Sequence, residues 1–204
     1  AFAPGYAADL IVVSDLEHFT VESVYKNGAL VAEGGKMLEP TQLSLREIGF
    51  ERVLHSFDME EITPDDLKLQ TTGKWERVIC LTPHELLTSE KIVPFQSHPG
   101  TAPGVDVEHQ IVKLAVFERH HHSGHVGLGF LGNYGLQCGA VASSIAHDSH
   151  NLIVAGTNDA DMVLAGNTVR KNKGGLAFAL NGRVVGELAL PVAGLMSTKS
   201  AEVV

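Results

Sequence analysis

The sequence predicts a mixed α/β fold rich in strand. Three observations carry that reading. Apolar, β-branched runs recur along the chain, as in Asp9-Leu10-Ile11-Val12-Val13 and Ile111 to Phe117. One segment, from Asp159 to about Lys173, has helix signals at both ends. The stretch after it reads as a hairpin around Asn181-Gly182. Of 204 residues, 44% are hydrophobic and 19% charged, which supports a packed core and excludes disorder, collagen and coiled coil as the main class.

Asp9 to Val13 is read as a buried strand and Val21 to Tyr25 as a second. Asn27-Gly28 supplies a two-residue turn, because both positions tolerate positive φ. Leu30-Val31-Ala32 returns as the partner and Gly34-Gly35 closes it. Three strands make a marginal unit, so residues 1–39 are expected to leave an open edge or an exposed apolar face. Pro40 to Phe50 reads as a short helix or connection. Around Glu60 to Leu69, Thr63-Pro64-Asp65-Asp66 reads as a helix start with proline at the first helical position.

Arg77 to Leu81 is a strand, and His98 to Gly104 is a loop rich in Pro and Gly. Ile111 to Phe117 is apolar at nearly every position and is expected to be buried on both faces. Ala140 to Ala146 and Leu152 to Ala155 are further strands. Asn158 caps the helix, Asp159 and Asp161 sit in its first turn, and Lys171 and Lys173 near its end. Gly174-Gly175 stops it, and Leu176 to Leu180 pairs with Arg183 to Leu190.

The net charge of −9 argues against nucleic acid as a partner. Residues 1–109 carry 18 acidic and 8 basic side chains, whereas residues 110–204 are nearly neutral and hold 13 of the 21 glycines. No run of about 18 uncharged apolar residues occurs, so no membrane-spanning helix is expected. Cys80 and Cys138 stand apart with no CxxC pattern, which suits two buried, reduced thiols in a cytoplasmic protein. The chain opens at Ala1 on strand-like sequence and reads as a piece of something longer.

Two histidine-bearing segments are the candidates for chemistry. One is Glu118-Arg119-His120-His121-His122-Ser123-Gly124-His125, directly after a buried strand; the other is Ala146-His147-Asp148-Ser149-His150-Asn151. His147, Asp148 and His150 combine two imidazoles and a carboxylate, a donor set suited to Zn, Mn or Fe. Alternation along a strand lets at most two of the four histidines of the first segment face one site, and His120 is the choice. Two other outcomes stay open for His120, His147, Asp148 and His150: a hydrogen-bonded polar cluster that orients substrate, or a solvated loop. The glycines from Gly124 to Gly135 lack the order of a phosphate-binding fingerprint, and neither GxxxxGK[ST] nor GxSxG occurs.

The segment Ala3 to Val13 resembles the strand on which amidohydrolase-superfamily enzymes leave their metal-dependent barrel and rejoin a small composite β domain. Val24 to Ala32 with Gly34-Gly35 resembles the hairpin that follows. Ala115 to His120, Gly127-Leu128-Gly129-Phe130, Gly139 to Asn151, Gly156 to Asp159 and Leu190 to Ser197 are similar to the C-terminal domain of the bacterial-type adenine deaminase family. The resemblance implies the end of a composite β domain over 1–39, a connection over 40–52 and an α/β C-terminal domain over 53–204. It implies hydrolysis of adenine to hypoxanthine and ammonia by water activated on Mn or Fe, with Zn as a further option. The family's first metal ligands form an HxH pair after the first barrel strand. His120-His121-His122 stands in another context and is not assigned that role.

Partners implied in this way are the barrel, a purine base and further copies of the chain. The 204 residues alone are expected to be inactive and short at both ends. A non-catalytic binding or assembly module, and a stand-alone metallohydrolase using His120, His147, Asp148 and His150, are the competing readings.

Overall fold

A computed structural model describes residues 3–38, 50–69, 74–95, 98–200 and 203–204. The chain divides into two compact units, Ala1–Glu47 and Ile48–Val204. The first holds β1 (Leu10–Val13), β2 (Val21–Lys26), β3 (Ala29–Glu33) and β4 (Lys36–Met37) in one antiparallel sheet in that order. Asn27 and Gly28 have φ of 49° and 80°, the left-handed pair a tight hairpin needs. Asp9 reinforces this turn: its carboxylate accepts from Asn27 N at 2.8 Å and from Lys26 Nζ, and Lys26 foremost holds it below the usual carboxylate range.

The strand at Leu10–Val13 is present, but its expected burial is not. Ile11 is 50% exposed, and Leu10 and Val12 are exposed beside it. The strand lies at the edge of a single sheet, so among the described residues no second layer in its own unit covers its apolar side chains. The expected open apolar face is therefore there, with Val21 and Met37 also exposed. Of the Pro40 to Phe50 segment, most lies outside the described residues; its end enters α1 (Phe50–Leu54).

The second unit is built on β5 (Trp75–Cys80), β6 (Ser89–Pro94), β7 (Ile111–Phe117), β8 (Val126–Gly132), β9 (Ala140–Ser143), β10 (Leu152–Gly156), β11 (Gly175–Leu180) and β12 (Arg183–Ala189). They form one sheet in the order β12-β11-β9-β10-β7-β8-β5-β6. Every pairing is antiparallel except β5 with β8. Helix α2 (Asp159–Lys171) packs on one face. Its Met162, Ala165 and Val169 meet Ala142, Leu152, Val154, Ala177, Ala115 and Phe117 in the main core. Small side chains on β9 and β11 let the helix approach closely. β7 is buried along most of its length, as a strand at the middle of a wide sheet should be.

Both ends of α2 follow the sequence signals. The Asn158 side chain accepts from Asp161 N at 2.9 Å. At the other end Gly174 N reaches Val169 O and Lys173 N reaches Arg170 O, a Schellman closure with Lys173 at φ 61°. Lys173 is thus the residue that closes the helix, and the two glycines that follow continue at positive φ, 126° and 120°.

Four expectations change. Thr63 does open an element with Pro64, and the Asp66 carboxylate accepts from Thr63 N and Oγ1 at 2.7 and 2.8 Å. That element is one 3₁₀ turn, Pro64–Leu67, because Lys68 is already extended at ψ 100°. β9 ends at Ser143 rather than Ala146, since the Ser144 hydroxyl turns to Gly194 O at 2.5 Å and accepts from Gly175 N at 2.7 Å. β6 and β8 are strands the sequence reading did not assign. Cys80 is buried but Cys138, on the loop between β8 and β9, is exposed; both are free thiols. No helix among the described residues is long and apolar enough to cross a membrane.

Candidate functional site

β7 and β8 pair Phe117 with Val126, β7 and β10 pair Phe117 with Leu152, and β10 and β9 pair Ile153 with Ser143. The loops 118–125 and 144–151 therefore leave the same end of the sheet. The turn at 191–196 joins them there through Ser144 and Gly194. This end carries His120, His121, His122, His125, His147 and His150.

His120 does approach the second segment. Its Nε2 lies 2.9 Å from Ser149 O, so this nitrogen donates to the carbonyl. His147 and Asp148 make only a 3.2 Å contact with each other, and their side chains are 95% and 91% exposed. His150 is half-buried and turns inward, with a buried Nδ1 that has no hydrogen-bond partner. The expected convergence of His147, Asp148 and His150 on one point is not formed. Among the described residues, no group of three His, Cys, Asp or Glu side chains could hold a metal ion. The donors of this segment do not fit a metal centre.

Glu118 organises the first loop. Against the upward push of burial, its carboxylate accepts from Ser123 Oγ at 2.8 Å and from the amides of His120, Ser123 and His121. These bonds hold its pKa down to about 2. His122 ties the same loop to the segment before the 3₁₀ turn. Its Nδ1 lies 2.6 Å from Asp58 Oδ1 and its Nε2 lies 2.9 Å from Glu60 Oε1. Both ring nitrogens donate only when the imidazole is charged, and Asp58 first, then Glu60, raise its pKa. A small pocket of about 140 Å³ lies alongside, between Met59, Ile62, Phe117 and Val126.

The residue that sequence reasoning passed over is Arg119. It is 1% exposed, and no carboxylate pairs with it among the described residues. Its Nε donates to His150 O at 2.6 Å and its Nη2 to Ala193 O at 3.0 Å. Its guanidinium carbon sits 4.8 Å from the centre of the Phe57 ring. A signal for it was available. Ile111, Lys113, Ala115 and Phe117 alternate inward on β7, and continuing that alternation places 119 inside and His120 outside.

Residues 85–204 match the model of the family described as adenine deaminase C-terminal domain. Over 202 residues the chain is 42% identical to adenine deaminase 2 of Carboxydothermus hydrogenoformans, covering 98% of this chain and 34% of that protein. It is 38% identical to the adenine deaminase of Dehalococcoides mccartyi, with 99% and 34% covered. It is 41% identical to adenine deaminase 2 of Latilactobacillus sakei, with 97% and 33% covered. The chain spans about a third of the length of the curated relatives it matches.

Proposed function

The chain belongs to the adenine deaminase C-terminal domain family, and on that premise we propose that it serves the hydrolysis of adenine to hypoxanthine and ammonia as the C-terminal portion of a longer enzyme. Mn or Fe, with Zn as the further option, would be held by a barrel outside these 204 residues and would there supply the activation of water. The purine base is the substrate, and the barrel and further copies of the chain are the partners. The setting is cytoplasmic, a reading supported by the two free thiols.

The observation that carries a site-facing role is the state of the AHDSHN segment. His147 and Asp148 project into solvent, while His150 Nδ1, Asn151 Oδ1 and Arg119 Nη1 are buried without partners among the described residues. Buried polar atoms are ordinarily paired. The exposed His147 imidazole and Asp148 carboxylate, held at one end of the domain, suit a surface that meets the reacting domain. A non-catalytic assembly role is the second reading, favoured by the apolar side chains Trp75, Ile79 and Phe178 exposed on the large sheet.

The test measures adenine loss by absorbance in the protein at its natural length, with Mn or Fe supplied. Turnover by that protein and none by the 204-residue chain is the expected result. His147→Ala should lower kcat/KM at least tenfold with folding kept. Near-normal activity in that variant favours the assembly role, and absence of turnover in the natural-length protein removes the deaminase reading.

A further inference from the structure

We propose that Arg119 is a positioning residue whose buried guanidinium holds two strained loops, at His150 and at Ala193, in the conformations that set the AHDSHN segment. Both carbonyls it binds belong to non-glycine residues in the left-handed region: His150 at φ 49° and Ala193 at φ 56°. Asp148, in the same loop, stands at φ 72°. Such conformations are unfavourable for a residue that carries a Cβ and persist where surrounding structure holds them.

Arg119 is well placed to do this. A guanidinium presents a flat fork, so one side chain can donate along two directions to two carbonyls at once. Its position is fixed on both faces. Phe57 lies over one face, and on another side a methyl group added at Gly194 would come within 2.8 Å of the guanidinium carbon. Its own backbone is held too, since Asp58 N donates to Arg119 O at 2.8 Å. The side chain thus joins the end of β7, the Phe57-Asp58 segment, the AHDSHN loop and the 193–194 turn. Burying a cation without a carboxylate is costly. The carbonyl dipoles of His150 and Ala193 offset part of that cost, and the Glu118 carboxylate adds a Coulombic attraction.

The role rests on the deaminase reading only for its activity arm. Arg119→Lys and, separately, Gly194→Ala are made in the protein at its natural length, and amide hydrogen exchange is followed by mass spectrometry. Gly194→Ala crowds the guanidinium without altering Arg119 and covers the case in which the lysine variant fails to fold; because alanine at φ 74° also strains the 192–196 turn itself, exchange at 146–151 is the reading that decides in this variant. Either variant should speed exchange at least tenfold across 146–151 and 192–196, with β7 and β10 amides unchanged. Adding Ala193→Gly to Arg119→Lys should restore protection at 192–196, because glycine needs no brace to stay left-handed, while 146–151 stays fast. A general loss of stability would instead speed all segments together, and that result overturns the proposal, as does unchanged exchange in both loops.

In the activity arm, kcat for adenine should fall at least tenfold in Arg119→Lys with KM within about threefold. Unchanged kcat with loosened loops overturns the link to catalysis. A wild-type protein that turns over no adenine removes the deaminase reading and leaves the brace to be decided by exchange.

Discussion

Glu76→Gln should stabilise the second unit, and by an amount that depends on pH. Glu76 is on β5, 6% exposed, with Oε1 unpartnered among the described residues. Burial alone raises its pKa from 4.5 to about 7. The folded state therefore keeps a proton that the unfolded chain releases between pH 4.5 and about 7. Across that window stability falls as pH rises, and above it the whole penalty remains. A rise of this size, at 1.36 kcal/mol per pH unit, corresponds to an upper bound of about 3 kcal/mol. Glutamine has the same shape and no charge, so the penalty disappears. Thermal melts followed by circular dichroism should show wild type and variant alike near pH 4.5. Near pH 8 the variant should melt higher, by roughly 6–12 °C at 2–4 °C per kcal/mol for a unit of this size. An equal difference at both pH values, or a variant that melts lower at pH 8, would refute the reasoning.

Gly104→Ala should destabilise the same region. At φ 83°, an added methyl would lie 2.3 Å from Phe130 Cζ and 2.5 Å from Glu76 Oε1, so a loss of about 2–4 kcal/mol in urea unfolding is expected. Asp161→Ala should cost about 2–3 kcal/mol at neutral pH, because its carboxylate accepts from Gly182 N at 2.8 Å and Asn181 N at 3.1 Å and so pins the β11–β12 turn to α2. Burial opposes ionisation of Asp161, yet the bonds from Asn158, Gly182 and Asn181 lower its pKa. Its contribution is therefore present above the ordinary aspartate value of 3.8 and lost as pH falls through the lower folded value, so the two proteins should converge in acid urea titrations.

Elements whose signals are local were legible in the sequence. The Asn27-Gly28 and Asn181-Gly182 hairpins need only positive φ at two positions, and α2 carries its caps in its own residues. β6 and β8 were not legible because their sequences lack the strand pattern. Ser89–Pro94 is mostly exposed and charged, and Val126–Gly132 alternates with glycines. Both are strands because their neighbours supply the hydrogen bonds: β6 pairs along the whole of β5, and β8 is held between β7 and β5. The burial of Leu10–Val13 was misread for a related reason. An apolar run reports what a strand would gain by being covered, not whether its own sheet has a layer to cover it.

At the candidate site the difficulty lay in which residue types attract notice. Three histidines and an aspartate drew the reading toward a ligand set, yet the side chain that joins the loops is an arginine. Its partners are two carbonyls, of His150 and Ala193, and carbonyls leave no mark in sequence. The same holds for Ser144, whose hydroxyl binds Gly194 O and Gly175 N and ends β9 two residues before the histidine segment opens. The AHDSHN loop is thus shaped from beneath by side chain to backbone bonds. Its most noticeable residues, His147 and Asp148, make no contact with the core and are free to meet another surface. A substitution at Arg119 or Gly194 would move these two residues without touching either, which separates the residues that shape the loop from those the loop presents.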